Sequence, residues 1–231
     1  MNAPAETTPN APTASSAPLS ALAARVLGCL MEKEFVTPDI YPLSLNALTN
    51  ACNQKSNREP LMSVSGSEVE LALEELRRLQ FATAFQGADS RVQKFKHKWN
   101  AVFGESAVER ALLCELLVRG PQTTAALRGN AERLTGIPEV AECEALLVTL
   151  SERPGGPLVG KLARQPGQKE ARWAHWLSGE PVPAVADSSG EPVTVTMALP
   201  PEVERRLELL EAEVASLRAE LLRLKDALGE A

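Results

Sequence analysis

The feature that most constrains the fold is a repeat that keeps its internal spacing. Arg25, Leu27 and Cys29 recur as Arg110, Leu112 and Cys114, 85 positions on. Val69, Ala72, Leu76 and Leu79 recur as Val140, Cys143, Leu147 and Leu150 at 71, and Lys94, Phe95 and His97 as Arg172, Trp173 and His175 at 78. Offsets that hold within an element and differ between elements are what loop-length changes produce in a duplicated unit.

Each copy has a readable element order. From Ser20, Leu22, Val26, Leu27, Leu30 and Met31 recur at helical spacing up to Phe35, and Thr37-Pro38 opens a loop. A short helix follows, with Leu45, Leu48 and Ala51 on one side and Asn46, Asn50 and Asn53 on the other. Leu61–Val64 reads as a small strand. Ser67 then caps a third helix with Glu68 and Glu70 in its first turn, where the helix dipole favours acids. Phe81–Phe85 and Val92–Trp99 read as strands around a Gly87–Ser90 turn. The second of these alternates Lys94, Lys96, Lys98 with Phe95, His97, Trp99, giving a cationic and an aromatic side. The second copy runs through helices at Glu105–Arg119, Thr123–Leu134 and from Pro138, then strands at Leu158–Leu162 and Ala171–Leu177. Three helices and a two-stranded hairpin are the winged-helix order. The fold expected is therefore mainly α with small β wings: two tandem winged-helix (helix-turn-helix) domains at 19–103 and 104–178.

The ends differ. Residues 1–17 are Ala, Pro, Thr, Ser and Asn with few bulky apolar side chains, and are expected to be a disordered tail. Residues 179–199 read as a linker. A coiled-coil helix is expected over 200–230, where Val203, Leu207, Leu210, Val214, Leu217, Leu221, Leu224 and Leu228 step alternately by four and three. In a parallel pair Arg206 faces Glu211, Glu213 faces Arg218 and Glu220 faces Lys225 across the seam, all of opposite sign. That pattern predicts a parallel homodimer through Leu207, Leu210, Val214, Leu217, Leu221, Leu224 and Leu228.

Charge and cysteine usage narrow the class. No apolar run approaches a membrane span and no secretory signal is present, so no membrane partner is expected. Cys29, Cys52, Cys114 and Cys143 form no CxxC pair and read as reduced core residues of a cytoplasmic protein. With His97 and His175 as the only histidines, neither a metal nor another cofactor is expected. No GxSxG, HExxH, P-loop or Rossmann fingerprint appears, so a non-enzymatic protein is expected. Net charge is −6 but unevenly placed: Lys and Arg number 10 against 9 Asp and Glu in 19–103, 9 against 9 in 104–178, and 5 against 11 in 179–231.

The least generic stretch is Tyr41–Met62. Asparagine is a mediocre helix former, so a row of amides followed by Lys55 and Arg58 serves either to hydrogen-bond a partner or to close a helical corner. The runs SLNALTNACNQKSNREP, EVELALEELRRLQFA and VQKFKHKWN together resemble the YceH family of uncharacterised bacterial proteins, over roughly residues 19–178. The resemblance implies tandem winged helices and no established activity; the N-terminus and the C-terminal heptads look like additions to the shared core. Two functions fit. One is DNA association, with Asn46, Asn50, Asn53, Lys55, Asn57, Arg58, Arg91, Lys94, Lys96 and Lys98 as contacts. The other is a dimeric scaffold binding another protein. For the scaffold speak outward acids expected on the third helices: Glu70, Glu74 and Glu75, and Glu139, Glu142 and Glu144.

Overall fold

The computed structural model describes residues 18–86, 92–104, 106–137, 139–165 and 167–180. The expectations for 1–17, for Arg91 and the hairpin turn, for the linker beyond 180 and for the heptads of 200–230 lie outside those residues. The described residues are mainly helical with two small antiparallel sheets, an arrangement compatible with winged helices.

Helix α1 (Ala21–Val36) is buried without a break from Ala23 to Glu32. A helix buried round its whole circumference needs neighbours on every side. Helices α2 (Leu45–Cys52), α3 (Gly66–Arg78) and α5 (Ala107–Arg119) supply them. Helix α5 is likewise buried from Ala111 to Val118. Glycine is required where α1 meets α5: a Cβ on Gly28 would stand 2.8 Å from Leu117 Cβ and Val118 Cγ1. Buried residues from both copies of the repeat join one core.

Hydroxyl side chains start five helices. Ser20, Ser44, Ser65, Ser106 and, for α6 (Thr124–Ala131), Thr123 each accept the backbone N–H three residues on. The cap of α3 is thus Ser65 rather than Ser67. Ser65 has the extended backbone a cap needs and closes a capping box with Glu68, whereas Ser67 already lies in the first turn. Helix α6 stops at Ala131, short of Leu134, and α7 (Val140–Ser151) starts two residues after Pro138, itself outside the described residues.

Strands β1 (Leu43–Ser44), β2 (Ala82–Phe85) and β3 (Lys94–His97) form one sheet in the order β1-β3-β2. No strand forms at 61–64. There the Asn53 side chain takes both the N–H and the C=O of Val64 at 2.8 Å, and Leu43–Ser44 pairs with β3 instead. Trp99 does not continue the strand but opens α4 (Trp99–Phe103), its ring 4.1 Å from that of Phe103. Strands β4 (Val159–Lys161) and β5 (Trp173–His175) make the second sheet.

The repeat extends to the register. His97 pairs with Ala82 and Phe95 with Ala84; His175 pairs with Val159 and Trp173 with Lys161. Leu43 pairs with Phe95 and Gln122 bridges to Trp173, each just before the cap of its second helix.

Candidate nucleic-acid interface

The asparagine-rich corner is largely committed to the fold. Asn53 holds Val64, and Asn57 (φ 57°) accepts from Arg119 Nη2. Arg58 is only 5% exposed. Asn46, Asn50 and Lys55 remain exposed.

Arg58 is held by the corner and by α1. Its Nε donates to the Ala51 carbonyl at 3.0 Å, and its two Nη atoms reach Glu32 Oε1 and Oε2 at 3.1 and 2.5 Å. This fork-on-fork pairing is the strongest form of ion-pair geometry. Arg133 Nη2 bridges Glu32 Oε1 and Glu115 Oε1 at 2.7 and 2.6 Å. Arg119 Nε stands 2.8 Å from Glu115 Oε2, off the hydrogen-bonding direction, so that contact is charge against charge. Burial raises both carboxyl pKa values. At Glu32 Arg58 and then Arg133 outweigh it and hold the group below its ordinary range. At Glu115 burial wins over Arg133 and Arg119, and the carboxyl is held above it. The cluster ties the corner, α1, α5 and the segment after α6 together. Its guanidinium at Arg58 is therefore not free to meet a partner.

Cations collect where the end of α3 meets the hairpin, Arg77 and Arg78 exposed and Lys98 half-buried. Arg77, Arg78 and Lys98, with Glu74, Gln80 and Thr83, line an open concavity of about 450 Å³. Lys98 Nζ donates to Gln80 Oε1 at 2.8 Å. Thr83 pairs with Lys96 and Phe85 with Lys94 across the hairpin. Directly opposed residues share a face, so Lys94, Lys96 and the exposed Phe85 continue this surface. Behind them, Phe95 and His97 face the core.

The acids are less outward than expected. Glu75 accepts from Ser20 N and Oγ at 2.8 and 2.6 Å, at the N-terminus of α1, where the helix dipole favours a carboxylate. Glu144 accepts from Thr124, from Trp173 Nε1 at 3.1 Å and from Lys161 Nζ at 2.6 Å. Glu68 closes the capping box of α3. Glu70 and Glu74 stay exposed on α3, and Glu139 and Glu142 at the start of α7.

The four cysteines are free and buried. The Cys52 thiol is pushed well above its ordinary range by its hydrogen bond with Cys29 and by burial, which removes it as a nucleophile at neutral pH. His97 bonds Glu34 Oε2 through Nε2 at 2.9 Å and accepts from Trp99 N at Nδ1 at 3.1 Å, a strand residue held by its surroundings. The repeat counterpart, His175, differs: its buried Nδ1 has no partner among the described residues. In His97 the same atom accepts the backbone N–H two residues on, and no such bond forms at His175. Among the described residues no helix is long and apolar enough to cross a membrane.

These observations define a class: a mainly helical protein with two small antiparallel sheets, repeated in element order, with a cationic face on its first hairpin. The chain belongs to an uncharacterised YceH-like family. Residues 19–168 match the sequence model of a family described as "Protein of unknown function, DUF480". A UPF0502 protein of Aeromonas hydrophila is 45% identical over 216 residues, covering 92% of this chain and 97% of its own. A UPF0502 protein of Vibrio vulnificus is 44% identical over 216 residues, covering 91% and 97%. Coverage of 92% leaves about 18 residues of this chain unmatched. The match therefore reaches into 200–230, whereas the family model ends at 168.

Proposed function

We propose that the chain is a tandem winged-helix protein, with units at 19–103 and 104–178, that associates with DNA through the first hairpin and the end of α3. The observation that carries this reading is the convergence of Arg77, Arg78, Lys94, Lys96 and Lys98 on one face, with Glu74 beside them, in a chain of net charge −6. A groove of flexible cations with hydroxyl and amide donors suits phosphate contact, and phosphate contact supplies most of non-specific affinity. In this reading Asn46, Asn50 and Lys55 are secondary contacts, and Asn53, Asn57 and Arg58 shape the corner that carries them. Glu70 and Glu74 disfavour deep insertion of α3 into the major groove, so the contact is to the backbone. The heptads of 203–228 hold two chains in parallel, which suits symmetric sites. Light scattering on the full chain and on a chain ending at 199 tests the pairing: dimer and monomer are expected, and a monomeric full chain contradicts it.

A second reading, a scaffold for another protein, is favoured by α7. Its outer side carries Val140 and Val148, 43% and 38% exposed, with Glu142 and no cation. The two readings separate by charge reversal. Arg77→Glu with Arg78→Glu should abolish binding to duplex DNA in fluorescence anisotropy, while Glu142→Lys should leave it unweakened. Retained DNA binding in the double reversal rules out this face.

A further inference from the structure

Two places related by the repeat are filled differently. In the first, Arg110 of α5 and His97 of β3 share one carboxylate: Glu34 Oε2 lies 3.5 Å from Arg110 Nη2 and 2.9 Å from His97 Nε2. The Arg110 guanidinium lies 4.6 Å over the Phe35 ring and donates to Asn100 Oδ1. A carboxylate and an aromatic ring thus close the place between a guanidinium and an imidazole.

The offsets carry each of these residues to a counterpart. At 85 positions Arg25 corresponds to Arg110, Arg119 to Glu34 and Gly120 to Phe35; at 78, His175 corresponds to His97 and Ser178 to Asn100. Arg25, Gly120, His175 and Ser178 line one cleft of about 280 Å³, with Leu116 and Leu117 among its apolar walls. Here both the ring and the carboxylate are missing. Gly120 has no side chain, and its φ of +69° favours glycine. Arg119 turns away to Glu115 and Asn57.

What remains is unsatisfied. Arg25 is 1% exposed and donates to the carbonyls of Pro60 and Cys52 at 2.8 and 3.5 Å. No carboxylate among the described residues pairs with it, and its Nε has no partner; nor do His175 Nδ1 and Ser178 Oγ. A buried guanidinium without a carboxylate, beside two more orphaned polar groups, is costly unless something enters to meet them. Burial pushes the His175 imidazole down to about 4, so it is neutral at pH 7 and presents a hydrogen-bonding nitrogen rather than a charge. Among the described residues of the cleft lining the one carboxylate, Glu59, is exposed.

We propose that this cleft binds a small aromatic carboxylate, its ring in the place that Phe35 fills in the other copy and its carboxylate between Arg25 and His175. The volume sits just below the usual range of about 300–1,000 Å³ for ligand pockets, which restricts the ligand to one or two rings.

The test is titration of the full chain with phenylacetate, by calorimetry and by the ring resonances of His175. Saturable binding at one site per chain, with a shift of the His175 signals, is expected. Phenylacetamide, which keeps the shape and loses the charge, should bind about tenfold or more weakly. Arg25→Met should lose binding, but Arg25 also holds two carbonyls and its loss can unfold the chain. Ala21→Trp is therefore the second variant: Ala21 is exposed on the cleft's rim, so an indole there should block entry while the melting temperature holds. No saturable binding at millimolar phenylacetate overturns the proposal. So does equal binding of phenylacetamide, or undiminished binding by Ala21→Trp.

Discussion

Glu32 and Glu115 share Arg133 yet are driven in opposite directions. Glu32 faces two guanidiniums across near-ideal geometry, and its folded-state pKa is lowered. Its contribution to stability is present above the unfolded value, about 4.3, and is lost as pH falls through the folded one. Glu115 has its folded-state pKa raised by burial. Its contribution therefore has the other sign: present below the unfolded value and lost as pH rises through the folded one. At pH 7, Glu32→Gln leaves the buried Arg58 without its carboxylate and should destabilise by about 3 kcal/mol. Glu115→Gln should cost clearly less. Urea unfolding at pH 7 checks the order, and repeating it near pH 3 should shrink the Glu32→Gln penalty. A larger cost for Glu115→Gln would contradict the assignment.

At the scale of the element, what could be read from the sequence was what is local. Apolar stripes and the alternation of Lys94, Lys96 and Lys98 with Phe95 and His97 depend on neighbours within a turn or a strand, and the structure keeps them. Elements decided by distant partners were misplaced. The expected strand at 61–64 yields to an asparagine eleven residues earlier, and a two-residue strand at Leu43–Ser44 has too little pattern to be seen. The site divides in the same way. The lysines of the hairpin were legible, whereas Arg58 was taken for a surface contact because its partner Glu32 lies 26 residues back. The Arg77–Arg78–Lys98 concavity needs the hairpin folded against α3 before it exists. Ser65 and Ser67 offer a check at this scale. Ser65→Ala should cost about 1 kcal/mol in thermal or urea unfolding, and Ser67→Ala no more than about 0.5 kcal/mol. Equal effects would contradict the cap.

For the whole molecule the repeat does more than set a similar element order twice. It lays α1 against α5 through Gly28 and sets one cationic hairpin in a chain whose acidity belongs to residues beyond 178. The proposed DNA association rests on such a local field drawing phosphate despite the overall sign. The most direct test is binding of the full chain to random duplex DNA across a potassium chloride series. Affinity should fall steeply, by about 0.9 in the log–log slope for each phosphate contact. Lys94→Ala, Lys96→Ala and Lys98→Ala together should flatten that slope by about 2 to 3. No binding at low salt, or a slope that the triple variant leaves unchanged, would contradict DNA association through this face and leave the protein-scaffold reading in its place.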